Sequence, residues 1–360
     1  MLINFKYIKT IIPGIVLALV FCLFSQGINN LLAIEIFGTS KSPISTVLIA
    51  ILLGILMGNA FTPREGMMVG LDFTQQYILK LGIIFLGIRL SFEELIKFGT
   101  IAIPLIIFCI LGVLVLIKLL IKKVPISSKM SYLIAIGTSV CGATAIVATA
   151  PVINAKKTEV AYAIANITLF GVIAMIVYPY FAEWYFGNDA IKTGLFLGTS
   201  IHETSQVAAA GLIYDQQFNS PETLNVATVT KLIRNTFLVI LIPLFAFLYN
   251  RGELKSQNYS ILSIFPYFVI GFIGMIIVRN IGDQFFINDN NNYNIWINLI
   301  EYLKILATVF LTMAMAAVGI SINLSELKSM GYKPFIVGLI AAITVGIISI
   351  IYIETVTKFF

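Results

Sequence analysis

One stretch of the sequence places an acid, an amide and the only histidine of the chain in an otherwise apolar segment. It covers residues 198–211, about four helical turns, with His202 and Glu203 adjacent and Gln206 one turn further on. An unpaired charge in membrane hydrocarbon is costly, so these side chains must face protein or a water-filled cavity. The stretch therefore predicts half of a solute site, with His202 and Glu203 placed to couple proton movement.

A second polar stretch shares the Gly-Thr-Ser beginning of the first. Residues 137–144 read Gly-Thr-Ser-Val-Cys-Gly-Ala-Thr. We expect two membrane helices to break at Gly137, Gly198 and Pro151, which would expose N–H groups and a partial positive charge at each second half-helix. Two such starts would form an anion cradle. Its predicted lining residues are Thr138, Ser139, Cys141, Gly142, Thr144, Thr199, Ser200, Thr204, Ser205 and Gln206. Alternatively, these small residues only allow close helix packing.

Two cations lie in the middle of the next apolar segment. Lys231 and Arg234 are three residues apart, so they share one face of a helix. At that depth they need partners, which would be Glu203 together with a bound anion, or backbone carbonyls. Snorkelling to a membrane surface is a third interpretation. We predict that both contribute to substrate binding by offsetting the charge of an anionic solute.

The elements that position these residues are membrane helices. The chain is 59% hydrophobic and only 11% charged, which is typical of an all-α protein that crosses the membrane many times. Eleven segments are candidate spans, and a break that re-enters the membrane would reduce the crossings to ten. The segments are 11–32, 44–61, 77–91, 100–121, 130–150, 159–181, 192–213, 225–249, 261–280, 297–322 and 334–356.

Short internal similarities predict an inverted repeat within a single transporter domain, 1–360. The motif that starts at Gly87 resembles the one that starts at Gly319, and the span count makes the two antiparallel. The first repeat would cover 44–181, the second half 192–356, and 1–43 would add an N-terminal helix. The two Gly-Thr-Ser motifs come out parallel on the same count. Either one broken segment is re-entrant, or the second half carries its elements in a different order.

Charge and cysteine usage exclude several classes of protein. The net charge of +6 comes from Lys and Arg residues in short loops, which does not indicate nucleic-acid binding. These residues favour a cytoplasmic N-terminus and an outside C-terminus. The three cysteines have unrelated spacings, so we expect neither a disulfide framework nor a metal site. His202-Glu203 lacks the second histidine of a zinc motif, and we expect no enzymatic activity and no cofactor.

The motifs resemble those of the YeiH-type bacterial membrane proteins, which are described as sulfate exporters. The resemblance rests on the run from Gly137 with Ala150-Pro151-Val152-Ile153, on Ser200-Ile201-His202-Glu203 with Gln206-Val207, and on Lys231-x-x-Arg234. It implies a multi-pass protein of the bacterial inner membrane. The chain is more distantly similar to bile acid:sodium symporters and sodium/proton antiporters, whose two broken helices cross at the bilayer midplane. There a Glu and a Gln help to bind sodium, but the spacing of Glu203 and Gln206 differs from that symporter motif.

The leading hypothesis is a secondary transporter that exports a small anion such as sulfate, an organosulfonate or a carboxylate by alternating access at a midplane site. Its partners would be the lipid bilayer, the anionic solute and a coupling proton or sodium ion. A sodium-coupled carrier of an organic solute and an anion channel are the alternatives. The sequence leaves homo-oligomerisation open.

Overall fold

The computed structural model describes residues 5–36, 42, 44–61, 65–120, 127–151, 153–249, 267–286, 290–323 and 332–356. All regular structure in these residues is helical, which confirms the all-α fold class. The α-helices are α1 (Phe5–Leu31), α2 (Thr46–Ala60), α3 (Glu65–Phe73), α4 (Leu79–Leu86), α5 (Phe92–Leu120), α6 (Ser128–Ser139), α7 (Ala143–Thr149), α8 (Lys157–Phe186), α9 (Ala190–Ser200), α10 (Thr204–Phe218), α11 (Pro221–Thr236), α12 (Leu238–Tyr249), α13 (Phe268–Phe286), α14 (Asn290–Ser321) and α15 (Tyr332–Val356).

Eight helical stretches of the described residues are long and apolar enough to cross a membrane. They are Lys9–Glu35, Gly66–Arg89, Phe92–Leu116, Lys157–Phe186, Pro221–Ile242, Phe268–Phe286, Tyr293–Ser321 and Phe335–Val356. The three other predicted spans are a short apolar helix, α2, and two interrupted pairs, α6 with α7 and α9 with α10. The chain is therefore a multi-pass membrane protein. The ten or eleven crossings, the inverted repeat, the discontinuous membrane helices and the orientation of the termini stay predictions.

The contacts divide the chain into two compact units. The first comprises the described parts of Met1–Glu94, Leu212–Pro221 and Phe268–Ser325. In it α1 packs against α3, and α14 packs against α2 and α4. The repeat motif that begins at Gly319 runs into residues 324–327, which lie outside the described residues.

Glycines allow α2 and α14 to approach closely in this first unit. A Cβ atom on Gly54 would lie 2.6 Å from the Ala316 carbonyl oxygen and 2.9 Å from the Ile320 nitrogen. Such contacts leave no room for a side chain, as in membrane helix pairs that use small residues at their interface. Gly54 therefore permits the close packing of α2 against α14.

We expect Gly54→Leu to lower the free energy of unfolding by about 1–3 kcal/mol, because the added side chain forces the two helices apart. Gly274→Leu is the matched control, since nothing lies within 4 Å of a Cβ atom there. The measurement is the melting temperature of each purified protein in detergent. Equal melting temperatures for the two variants would contradict the packing argument.

The second unit comprises the described parts of Leu95–Gly211, Glu222–Tyr267 and Glu326–Phe360. It contains both helix interruptions. After α6, Val140 leaves helical geometry and Gly142 takes φ 66°, a left-handed conformation that favours glycine. After α9, Ile201 is extended, and the Glu203 carbonyl accepts the first hydrogen bond of α10 from the Val207 N–H at 2.9 Å.

The positions predicted for the breaks need a correction. Gly137 and Gly198 lie inside α6 and α9, and each interruption follows a few residues later. A Cβ atom on Gly198 would lie 2.6 Å from the Thr230 Cβ, and one on Gly137 would lie 2.9 Å from the Ile146 Cδ1. Both glycines therefore permit close packing rather than the break itself. Pro151 comes after the end of α7, where its carbonyl accepts a hydrogen bond from the Asn154 N–H at 3.3 Å.

Candidate functional site

The two interruptions of the second unit meet at the same pair of buried cations. We call residues 138–143, 199–206 and 230–235 the break region. Its third part belongs to α11, which carries Lys231 and Arg234 one turn apart, both with 0% exposure. The fold therefore brings together the three polar stretches that the sequence singles out.

Arg234 binds the carbonyl ends of both interrupted helices. Its Nε donates to the Ser139 carbonyl at 2.7 Å, and its Nη1 and Nη2 donate to the carbonyls of Thr199 and Thr138. The last carbonyls of a helix have no partner within the helix, and they carry a partial negative charge. A planar guanidinium can reach three of them at once. Arg234 thus joins the end of α6 to the end of α9.

Lys231 lies one turn before Arg234 on α11 and also binds backbone carbonyls at the ends of α6 and α9. Its Nζ donates to the carbonyls of Val140 at 2.8 Å and Ile201 at 2.9 Å, and to the His202 carbonyl at 2.5 Å. These three bonds use every donor of an ammonium group. Of the partners that the sequence suggested for the two cations, backbone carbonyls are the ones that bind them in the structure. Neither cation forms an ion pair within the part of the chain that the structure describes.

Glu203 occupies the start of α7. Its Oε1 accepts a hydrogen bond from the Ala143 N–H at 2.8 Å. A carboxylate at this end of a helix is favoured by the partial positive charge of the exposed N–H groups. The first donor of α7, which the anion-cradle prediction assigns to a solute, is therefore taken by the protein's own carboxylate.

Gly142 makes room for this carboxylate. A Cβ atom there would lie 2.6 Å from both Cγ and Oε1 of Glu203, and its φ of 66° is strained for other residues. We expect Gly142→Ala to cost about 2–3 kcal/mol, from backbone strain and from the lost helix cap. The melting temperature should fall, whereas Gly99→Ala should not lower it, because the nearest atom to a Cβ there is 3.4 Å away. A wild-type melting temperature for Gly142→Ala would contradict this role.

The start of α10 is held by two amide side chains. The Gln206 Oε1 accepts from the Glu203 N–H at 3.3 Å, and its Nε2 donates to the Thr168 carbonyl at 3.4 Å. The first of these bonds is one half of a capping box. The Asn235 Nδ2 donates to the Thr204 hydroxyl at 2.9 Å, which ties α11 to α10. Gln206, predicted to contact solute, thus has protein partners for both ends of its amide.

Several buried polar atoms of the break region have no hydrogen-bond partner among the described residues. The break region holds more than half of all such atoms in the described part of the chain. They are Thr138 Oγ1, Ser139 Oγ, Ser200 Oγ, both ring nitrogens of His202, Thr230 Oγ1 and Asn235 Oδ1. The His202 side chain is fully buried, with 0% exposure. Buried polar groups are nearly always hydrogen-bonded in folded proteins. This concentration therefore indicates a place where water or a ligand binds.

The remaining predicted site residues differ in their surroundings. The Thr199 hydroxyl donates to the Leu195 carbonyl at 2.7 Å and lies 2.7 Å from the Ser349 hydroxyl. Cys141 and Ser205 are buried, whereas Thr144 is exposed. Within the described residues, no three His, Cys, Asp or Glu side chains are grouped so that they could hold a metal ion.

Sequence reasoning missed four residues of this arrangement. Asn235 and Thr230 flank the two cations in the sequence, so their position was a usable signal. Thr168 and Ser349 stand in apolar runs and carry no such signal. Thr168 acts through its backbone carbonyl, and Ser349 comes from α15, far away in the chain.

Comparison with known proteins shows similarity over most of the chain. The family model described as conserved hypothetical protein 698 matches residues 13–338. A UPF0324 membrane protein of Streptococcus agalactiae serotype V is 33% identical over 340 residues, which cover 94% of this chain and 95% of the relative. One from Fusobacterium nucleatum is 33% identical over 323 residues, 88% of this chain and 91% of the relative. The UPF0324 inner membrane protein YeiH of Escherichia coli K12 is 32% identical over 304 residues, 82% of this chain and 81% of the relative.

Proposed function

The chain belongs to the family of conserved hypothetical protein 698, whose relatives are named membrane proteins, and on that premise we propose that it is a secondary transporter of a small anion. The observation that carries the proposal is the concentration of unpartnered buried polar atoms in the break region. Transporters of several folds place their solute where interrupted helices end, because backbone groups are free there. Here most of the backbone carbonyls and N–H groups at the helix ends already bind protein side chains. The unpartnered polar side-chain atoms are therefore the groups that remain for a solute.

Charge supports an anion rather than a cation as the solute. Two fully buried cations lie in the break region, opposed by the single carboxylate of Glu203. The carbonyls that bind Lys231 and Arg234 stabilise them but carry no formal charge. A buried excess of positive charge attracts anions and opposes a second cation such as sodium. The two cations would thus act on the solute through their charge, not through direct hydrogen bonds.

Proton coupling is the proposed role of His202 and Glu203. A proton on Glu203 would weaken its charge-assisted bond to the Ala143 N–H. The start of α7 would then lose its cap, so proton loading and the conformation of the break region are linked. His202 offers two buried nitrogens with no partner among the described residues, so a ring that is neutral at rest can hydrogen-bond a solute or relay a proton from one nitrogen to the other. Resemblance to YeiH-type proteins makes export of sulfate, an organosulfonate or a carboxylate the candidate activity.

The test is tracer flux into proteoliposomes that contain the purified chain. We expect saturable uptake of at least one of radiolabelled sulfate, methanesulfonate and acetate, and we expect an imposed proton gradient to change its rate. Flux that rises linearly without saturation would favour the channel instead. Uptake of none of these anions, together with sodium-dependent uptake of an uncharged organic solute, would contradict the proposal.

A further inference from the structure

The formal charges of the break region do not cancel. Lys231 and Arg234 contribute two positive charges and Glu203 contributes one negative charge. The bond from the Ala143 N–H at 2.8 Å is one that an ionised carboxylate accepts well at the start of a helix. No ion pair in the described ranges includes either of the two cations. Their carbonyl partners are dipoles and leave the excess of one positive charge in place.

His202 does not add to this excess. Its ring is fully buried, and neither nitrogen has a partner, acidic or otherwise, among the described residues. Its own carbonyl accepts a bond from the Lys231 Nζ, which places that ammonium close by. A protonated ring would therefore be a third buried cation without a counter-charge, so the neutral ring is the form that fits. A neutral imidazole presents one donor and one acceptor.

From this balance we infer that the solute of the break region is a monovalent anion, of which a sulfonate and a monocarboxylate are examples, rather than divalent sulfate. The inference rests on the proposed anion transport. With Glu203 ionised, one negative charge on the solute brings the net charge of the break region to zero. A second would leave an uncompensated negative charge within the membrane, which is strongly disfavoured.

The other groups of the break region do not distinguish one charge from two. The unpartnered hydroxyls of Ser139 and Ser200 and the ring of His202 can donate to any oxyanion without adding charge. The Lys231 Nζ has three carbonyl partners and no donor left over. Discrimination between monovalent and divalent anions would therefore come from the total formal charge of Lys231, Arg234, Glu203 and the bound solute.

Perchlorate and sulfate are the probes that isolate charge, since both are tetrahedral with four oxygens. We would measure the dissociation constant of each from the thermal stabilisation of the purified full-length protein near neutral pH. The expected result is that perchlorate binds at least about tenfold more tightly. Perchlorate also loses its water more easily than sulfate, so the wild type alone does not separate charge from hydration.

Glu203→Gln makes that separation. It removes the one negative charge but keeps a side-chain oxygen for the Ala143 N–H. The region then has an excess of two positive charges, which a divalent anion would neutralise. We expect the preference for perchlorate over sulfate to fall by about tenfold or more. Glu354→Gln is the matched control, since that carboxylate is 38% exposed and lies 3.9 Å from the Lys192 Nζ. It should leave the preference unchanged, whereas hydration alone predicts the same preference in all three proteins.

Two results would overturn the inference while leaving anion transport intact. One is tighter binding of sulfate than of perchlorate by the wild type, and the other is an unchanged preference in Glu203→Gln. If that variant does not fold, the wild type decides with acetate, a monovalent anion that holds its water firmly, against sulfate. Tighter binding of sulfate than of acetate would then overturn the inference. Failure of every anion to stabilise the protein would overturn the proposed function as well.

Discussion

Arg234→Leu is expected to lower the free energy of unfolding by about 3–5 kcal/mol. The substitution leaves the carbonyls of Thr138, Ser139 and Thr199 without their buried donor. Each unsatisfied buried group costs about 1–3 kcal/mol, and removing the buried charge recovers part of this loss. The melting temperature of the protein in detergent should fall by roughly 5–15 °C.

Two further variants make this prediction specific. Arg279→Leu removes an arginine from an ion pair at 2.6 Å with Asp283, whose members are 26% and 39% exposed. The pair is partly exposed, and the Arg279 Nη1 donates one further bond, to the Ile88 carbonyl at 3.3 Å, so the melting temperature should fall much less than in Arg234→Leu. Arg234→Lys keeps the charge but cannot reach three carbonyls from one fork, and it should recover part of the stability. A wild-type melting temperature for Arg234→Leu would show that these bonds do not hold the two helix ends together.

His202→Ala is expected to reduce anion flux by about 10- to 100-fold, the value of a lost hydrogen bond to a charged ligand. The side chain makes no hydrogen bond to the described residues, so its removal breaks none. The melting temperature without solute should therefore change far less than in Arg234→Leu. Flux in proteoliposomes and melting in detergent measure the two effects separately.

Thr193→Val provides the comparison for His202→Ala. Thr193 also has a buried hydroxyl with no partner among the described residues, but it lies about two turns before the end of α9. Its substitution should leave anion flux close to the wild-type value. Equal flux in His202→Ala and wild-type protein would contradict a role for the imidazole in transport.

The sequence was sufficient to predict the fold class and to locate the polar residues of the break region. Apolar segments separated by short polar gaps indicate membrane helices directly. A buried histidine, a carboxylate and two cations stand out against such a background. Lys231 and Arg234 were expected to share a helical face, and the structure places both on α11 with their donors directed to the same two helix ends.

The partners of these residues were not predictable in the same way. Backbone carbonyls bind both cations, and carbonyls leave no trace in the residue types. The contact between Glu203 and the Ala143 N–H joins positions 60 residues apart. The interruption after α9 occurs at an extended Ile201 rather than at Gly198, and Gly198 lies instead where α9 packs closely against Thr230. Tertiary contacts thus decide features that local sequence leaves open.

The break region is proposed to bind a small anion, and thermal stabilisation of the purified wild-type protein tests this binding most directly. The panel would contain monovalent and divalent anions and sodium at two pH values, with His202→Ala measured in parallel. A bound ligand raises the melting temperature by mass action. We predict a saturable rise with at least one anion that His202→Ala loses. A rise with sodium alone, or an anion effect that His202→Ala retains in full, would contradict the claim.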